Sequence, residues 1–228
     1  MDSEDTIDIE NLDDNKFYGD AEKYWKNISP TVDGMLGGFS HISSTDIAGS
    51  TKFLHLFVKP PGKTNKVRAL DCGAGIGRIT KRLLLPNFSH VDMVELNQDF
   101  LDEARHYLAD NASRVERYIC SGLQNFTPDE RRYDVIWCQW VLGHLTDEDL
   151  IGFFRRCQHG LSEQGVIIVK ENTTAVGTTD FDTTDSSIIR SKNAMEEIFK
   201  KAGLRILKEE KQKRFPKEIY DVYMFGLQ

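Results

Sequence analysis

The sequence predicts an α/β domain in which helices cover both faces of a doubly wound, mainly parallel sheet, with a helical extension ahead of it. Three observations predict it. The run Val67 to Cys72 is a short apolar strand that reaches an acid, Asp71, and opens into the glycine turn Gly73-Ala74-Gly75-Ile76-Gly77 ahead of Arg78. A second apolar strand, His90 to Glu95, ends in another acid roughly 20 residues beyond the turn, where nucleotide folds keep the carboxylate that accepts ribose hydroxyls. The β-branched runs Tyr133 to Cys138 and Gly165 to Lys170 flank a helical stretch from Asp147 to Gly160, an alternation that builds buried parallel strands.

The remaining elements follow in order. Residues 1–16 are rich in Asp and Glu with little apolar content and read as an acidic mobile tail, leaving 17–228 as a single domain. At 228 residues with 39% hydrophobic content the chain can bury one full core. From Phe17 to Trp25 aromatic residues recur at helical spacing, and Pro30 opens a glycine-rich loop to Phe39. A second helix is expected from Ser44 to Val58, with Ser43 or Ser44 as its cap and Pro60-Pro61-Gly62 as its stop. These helices make an extension, 17–62, before a core of 63–228. A helix is expected after the glycine turn, another from Gln98 to Asp110, and a strand from Val115 to Cys120. After a polar loop come a helix over Lys192–Ala202 and closing strands over Leu204–Lys211 and Tyr220–Leu227, which completes seven strands with the last one antiparallel.

Composition narrows the function. A net charge of -7 argues against nucleic acid, because phosphate binding needs a basic surface, and favours basic partners. No stretch approaches the roughly 20 apolar residues of a membrane span, and no secretory leader is evident. Cys72, Cys120, Cys138 and Cys157 lie in or beside expected core elements without metal-ligand spacing, and the six histidines are scattered. They read as free buried thiols in a reducing compartment, with no metal site.

The glycine turn carries the chemistry. Glycine allows positive φ and the close approach of a ligand, while the following helix points its amides at that ligand. A dinucleotide fingerprint would place its third glycine where Arg78 stands. The pattern here is Asp71-x-Gly73-x-Gly75-x-Gly77, and an acid at its head suits a cofactor that presents a cationic amino group and a sulfonium instead of phosphates. It resembles motif I of the class I methyltransferases, whose cofactor is S-adenosyl-L-methionine and whose product is S-adenosyl-L-homocysteine.

Other segments carry a closer resemblance. Tyr24-Trp25-Lys26, Pro30 to Gly38, Leu70 to Pro86, Gly122-Leu123-Gln124, Trp137 to Trp140 with Gly143-His144-Leu145, Lys170-Glu171-Asn172, Asp185-Ser186-Ser187 and Glu218-Ile219-Tyr220 are similar to those of the eukaryotic protein N-terminal methyltransferases. The resemblance spans nearly the whole chain from Tyr18. It implies a Rossmann-like class I methyltransferase fold, and methylation of the α-amino group of proteins beginning Xaa-Pro-Lys once the initiator methionine is removed. It implies Gly73, Gly75, Arg78, Glu95, Asn97, Leu123, Gln124 and Gln139 as cofactor residues. Trp25, Leu36, Gly37, Ile42, Trp140, Asp182, Ser187, Ile219 and Tyr220 are the implied peptide contacts, and Asp185, His144 and Asn172 orient and deprotonate the amine. Glu95 stands where the family often has aspartate. The resemblance also implies residence in nucleus and cytoplasm, and a monomer is expected.

The chemistry agrees with that implication. Methyl transfer from a sulfonium needs an uncharged amine held in line and a group that takes its proton. An α-amine has an ordinary pKa of about 7.7–8.0, against about 10.4 for lysine, so a carboxylate or imidazole suffices. His144 and Asp185 are both candidates for that base, and the sequence leaves their division of labour open. The rings of Trp25 and Trp140 suit a second-position proline, whose rigid pyrrolidine packs on aromatic faces. Lysine or small-molecule methyl transfer is the alternative activity.

Overall fold

A computed structural model describes residues 13–228. Helix α1 spans Asp14–Lys26, capped by the Asp13 carboxylate, which accepts from the amides of Asn15 and Lys16. Folded structure therefore starts before Phe17, because a carboxylate cap lies inside the run that reads as tail. Residues 1–12 of that expected tail lie outside the described residues. Pro30 leads into the single turn α2, Val32–Met35, and a 3-10 turn at Ser40–Ile42 feeds helix α3, Ser43–Val58. Neither Ser43 nor Ser44 caps α3. Their hydroxyls accept hydrogen bonds from Arg82 instead, at 2.8 and 3.3 Å.

Strand β1, Arg68–Cys72, runs into the glycine turn. The helix that follows is a π-helical turn, Thr80–Leu84, ended by Pro86, in which the Leu85 amide donates to the Thr80 carbonyl five residues back. Then come β2 (His90–Glu95), α4 (Gln98–Leu108), β3 (Val115–Cys120), β4 (Tyr133–Gln139), α5 (Asp147–Gly160) and β5 (Leu161–Thr173). The segment expected as a polar loop contains a hairpin, β6 (Thr179–Asp182) with β7 (Ser187–Arg190). Its strands are short and its outer residues are Thr and Asp, so no apolar alternation marks it. Helix α6 (Lys192–Ala202), β8 (Ile206–Lys211) and β9 (Asp221–Leu227) close the chain.

The seven main strands order as β3-β2-β1-β4-β5-β9-β8, parallel from β3 through β5, with β9 antiparallel to both neighbours. The chain reverses its winding between β1 and β4, so their carboxyl ends splay apart and open a crevice there. One face is packed by α5 and α6 through Phe153, Phe154 and Phe199. The other is packed by α4, the π-helical turn and α3 through Leu101, Leu83, Phe53 and Leu54. Helix α3, part of the expected extension, thus packs into the core. It lies so close to β9 that a Cβ on Gly226 would fall 2.1 Å from the Phe57 ring.

A polar network joins α3 to the sheet. Asp46 is fully buried; its carboxylate takes hydrogen bonds from Lys170 (2.6 Å), Arg78 (2.6 Å) and Gln139 (2.8 Å). The Lys170 ammonium also donates to Ser50 and Gln212. Burial opposes the charge on Asp46, but Lys170 and Arg78 outweigh it and hold the carboxyl below its ordinary value. Cys72, Cys138 and Cys157 are buried as expected, whereas Cys120 is exposed at the end of β3.

Two outcomes follow from this packing. Asp46→Ala strands two buried cations, and a loss of about 3–5 kcal/mol in urea denaturation is expected; a change below 1 kcal/mol would show that the network is dispensable. Asp71 is buried, and burial raises its pKa to about 7, against a hydrogen bond from Thr80 that lowers it. A raised carboxyl favours the fold fully at acid pH and loses that contribution as pH rises through about 7. The fall in melting temperature from pH 5 to pH 8 should therefore be smaller in Asp71→Asn than in the wild type.

Candidate active site

The crevice is a cleft of about 1120 Å³ counted out to its mouth. Its floor is the glycine turn, with Gly73, Gly75 and Gly77 at φ of 65°, 53° and 84°. The close approaches explain why these positions are glycine: a Cβ on Gly73 would meet Val141 at 2.4 Å, and one on Gly75 would meet the Met35 sulfur at 2.5 Å. Met35, from α2, roofs the turn. No pattern in the sequence marks it.

Glu95 ends β2 inside the cleft. One carboxylate oxygen accepts from the Gly75 amide at 2.9 Å and the other from the Asn97 amide at 3.0 Å. Burial raises its pKa against those backbone donors. Each oxygen keeps acceptor capacity for a hydroxyl, as a ribose diol requires. Leu123 and Gln124 line the cleft beside it, on a loop pinned by Arg156 of α5, which donates to the carbonyls of Leu123, Gln124 and Phe126. Arg78 and Gln139 line the far end, and both are oriented by Asp46. The second end of the Gln139 amide accepts from the Trp137 indole at 3.1 Å.

These residues fit S-adenosylmethionine, with a carboxylate for the ribose, an apolar loop for the adenine and a polar end for the amino acid. Asn97 does not line the cleft. Its side chain caps α4 through Asp99 and donates to the Trp25 carbonyl, so it ties α1 to the cofactor side. Asp71 also stands outside, bonded to Thr80 at 2.6 Å. The acid at the head of the turn is buried and does not line the cleft.

Trp25, Trp140 and His144 form the other wall. Trp140 holds a left-handed φ of 53°, rare for a bulky residue, and stacks on Phe215 with ring centroids 6.4 Å apart. Its indole nitrogen is buried without a protein partner. The strained loop after it is clamped from both sides. Glu171 accepts from the amides of Val141 and Leu142, while Arg190 donates to the carbonyls of Leu142 and Leu145. Burial lifts the Glu171 carboxyl to about 7.

His144 accepts the Trp25 indole N–H on Nε2 at 2.9 Å, and its Nδ1 faces the Ser186 carbonyl at 3.3 Å. An indole only donates, so this His144 is neutral with its proton on Nδ1. Burial lowers its pKa, partly offset by Asp185. Asp185 lies 3.9 Å from Nε2, and its Oδ1 is buried without a partner. Tyr24 stands near both acids of this rim: burial raises its pKa first, then Asp185 and Asp182.

The other expected peptide residues do not line the cleft. Asp182 and Ser187 bracket the β6–β7 turn, and Tyr220 donates to Asp180 at 3.0 Å. Ile219 precedes it, half-buried. Asn172 lies on β5 two residues beyond Lys170, on the same face of the sheet. Leu36 and Ile42 are buried, while Gly37 between them is exposed. Among the described residues no cluster of three or more His, Cys, Asp or Glu could hold a metal ion, and no helix is long and apolar enough to cross a membrane.

Comparison with known proteins agrees with this geometry. The family described as AdoMet-dependent proline di-methyltransferase matches residues 13–228. The N-terminal Xaa-Pro-Lys N-methyltransferase 1 of Danio rerio is 55% identical, and that of Homo sapiens 53%, each over 94% of this chain and 96% of theirs. A solved Leishmania major SAM-dependent methyltransferase superposes with a TM-score of 0.88 at 36% identity, over 98% of this chain and 87% of that one. A phosphoethanolamine N-methyltransferase of Haemonchus contortus, 16% identical, shares the fold with a TM-score of 0.73 over 94% of this chain and 48% of that one. The chain belongs to the AdoMet-dependent proline di-methyltransferase family and is an S-adenosylmethionine-dependent methyltransferase.

Proposed function

We propose that the protein methylates the free α-amino group of proteins whose exposed N-terminus reads Xaa-Pro-Lys, and that Asp185 takes the proton. Bound in the cleft, S-adenosylmethionine supplies an electrophilic methyl group. The chain's own residues must hold an uncharged nitrogen against it and keep water out. The observation that carries the reading is the pairing at the mouth: an unpartnered Asp185 oxygen beside a His144 whose Nε2 is already occupied by Trp25.

That arrangement divides the roles. With its lone pair engaged, the imidazole acts as a fixed wall that sets the position of Trp25, and proton removal falls to the carboxylate. Asp185 first attracts the α-ammonium and then accepts its proton, which an α-amine releases at about pH 8. Trp25 and Trp140 flank the entrance, where a proline ring loses little entropy on packing. The family relatives named for Xaa-Pro-Lys substrates support the same specificity. Asp180 and Asp182 supply negative charge for a third-position lysine.

The direct test is mass spectrometry of an Xaa-Pro-Lys peptide incubated with enzyme and cofactor beside its N-acetylated copy. Modification of the free peptide alone is expected, because acetylation delocalises the nitrogen lone pair into an amide. Methyl groups on the lysine of the acetylated copy would make the protein a lysine methyltransferase. Asp185→Asn should lower kcat by about 100-fold or more while the cofactor binds normally; full activity would remove Asp185 from proton transfer. Glu95→Ala should weaken S-adenosylmethionine binding about tenfold or more in calorimetry, since a charged acceptor for two hydroxyls is lost, and unchanged affinity would take Glu95 out of the site.

A further inference from the structure

A second groove lies away from the cleft, between the outer side of α3 and the end of β8. It encloses about 990 Å³ counted out to its mouth. Its walls carry Lys52, Lys211, Lys213 and Arg214 against the single carboxylate of Glu210. Lys211 is paired with Asp221 at 2.6 Å, whereas Lys52, Lys213 and Arg214 have no ion-pair partner among the described residues. All three are exposed. In a chain of net charge -7, the groove lining therefore carries a local excess of positive charge.

The groove is joined to the active site by one loop. Gln212 forms its floor and holds the buried Lys170, and Arg214 takes a left-handed φ of 66° that turns the chain. The next residue, Phe215, stacks on Trp140 in the wall of the cleft. The same loop ends at Tyr220, which holds Asp180 on the acidic rim. The loop thus carries, in sequence, the groove residues Lys213 and Arg214, the Phe215 ring stacked on Trp140 in the cleft wall, and Tyr220 bound to Asp180.

We propose that this groove is an exosite for an acidic segment of the substrate protein, lying C-terminal to its Xaa-Pro-Lys start. The inference rests on the proposed N-terminal specificity. The cationic N-terminus is held at the carboxylates of the cleft, and carboxylates further along the same chain are held by Lys52, Lys213 and Arg214. Charge complementarity selects the occupant: three cations without an ion-pair partner among the described residues suit a few carboxylates, while an extended polyanion such as RNA would run beyond them onto the acidic remainder of the surface. Because the groove touches no reacting atom, its contribution is to KM and to encounter rate, not to the chemical step.

The test compares three peptides: a short Xaa-Pro-Lys peptide, the same peptide extended by a neutral spacer and four glutamates, and a control ending in four glutamines. With the wild-type enzyme at low salt, the glutamate extension should lower KM about fivefold or more relative to the glutamine extension at equal kcat, and about 0.5 M salt should abolish the difference. Lys52→Glu/Lys213→Glu should lose the advantage while methylating the short peptide at the wild-type rate, and Lys52→Gln/Lys213→Gln should lose most of it. Equal KM for the two extensions, or an advantage that survives charge reversal, overturns the exosite. So does stronger competition by a short oligouridylate than by the acidic peptide, which would make the groove a nucleic-acid surface. If the short peptide itself is not methylated, it is the N-terminal specificity that has failed.

Discussion

The arrangement of this domain depends on one buried carboxylate. Asp46 sits fully buried between helix α3 and the carboxyl ends of two central strands, and only its three donors make that tenable. Each of those donors has a second duty. Lys170 closes the interior against α3, while Arg78 and Gln139 present their remaining surface to the cofactor end of the cleft. The polar contacts that fix α3 on the sheet are thus the same contacts that fix one end of the active site. Stability and cofactor geometry are linked at a single side chain.

A different constraint governs the reactive end. The loop from Trp140 to Leu145 departs from regular structure at a left-handed tryptophan, a conformation that costs of order 1–3 kcal/mol and persists only when its surroundings over-determine it. Glu171 and Arg190 do this by taking up the loop's amides and carbonyls respectively. The result is that Trp140 and His144 face the same opening from opposite ends of a short segment. Helix α1 then completes the wall with Trp25, itself tied to His144 and, through its carbonyl, to Asn97.

The sequence was most legible where a single physical requirement acts on consecutive residues. Strands β1, β2 and β4 announce themselves because both faces are buried and apolar residues cluster in them, and the turn at Gly73 to Gly77 because positive φ admits little else. Legibility failed where the requirement is set by partners far along the chain. Nothing near Asp46 marks it as a buried hub, and Ser43 and Ser44 carry a cap signature that Arg82 overrides. The Asp13 cap hides inside an acidic run. In the site, cofactor positions follow the turn and the strand end, but the occupation of His144 by Trp25 is a geometric fact between residues 119 positions apart, which no local pattern encodes.

The separation of the partners of Asp46 bears on how the chain folds as it is made. Gln139 and Lys170 follow Asp46 by 93 and 124 residues, and Gln212 follows Lys170 by another 42. Chains emerge from the ribosome N-terminus first, at about 5–20 residues per second. Helix α3 is therefore exposed for several seconds before the strands that complete its polar contacts exist. During that interval its apolar side has no sheet to cover, and its carboxylate costs nothing because water solvates it. Completion of these contacts waits for β5 and for Gln212 beyond β8, although every residue lining the cleft has been made by Leu145.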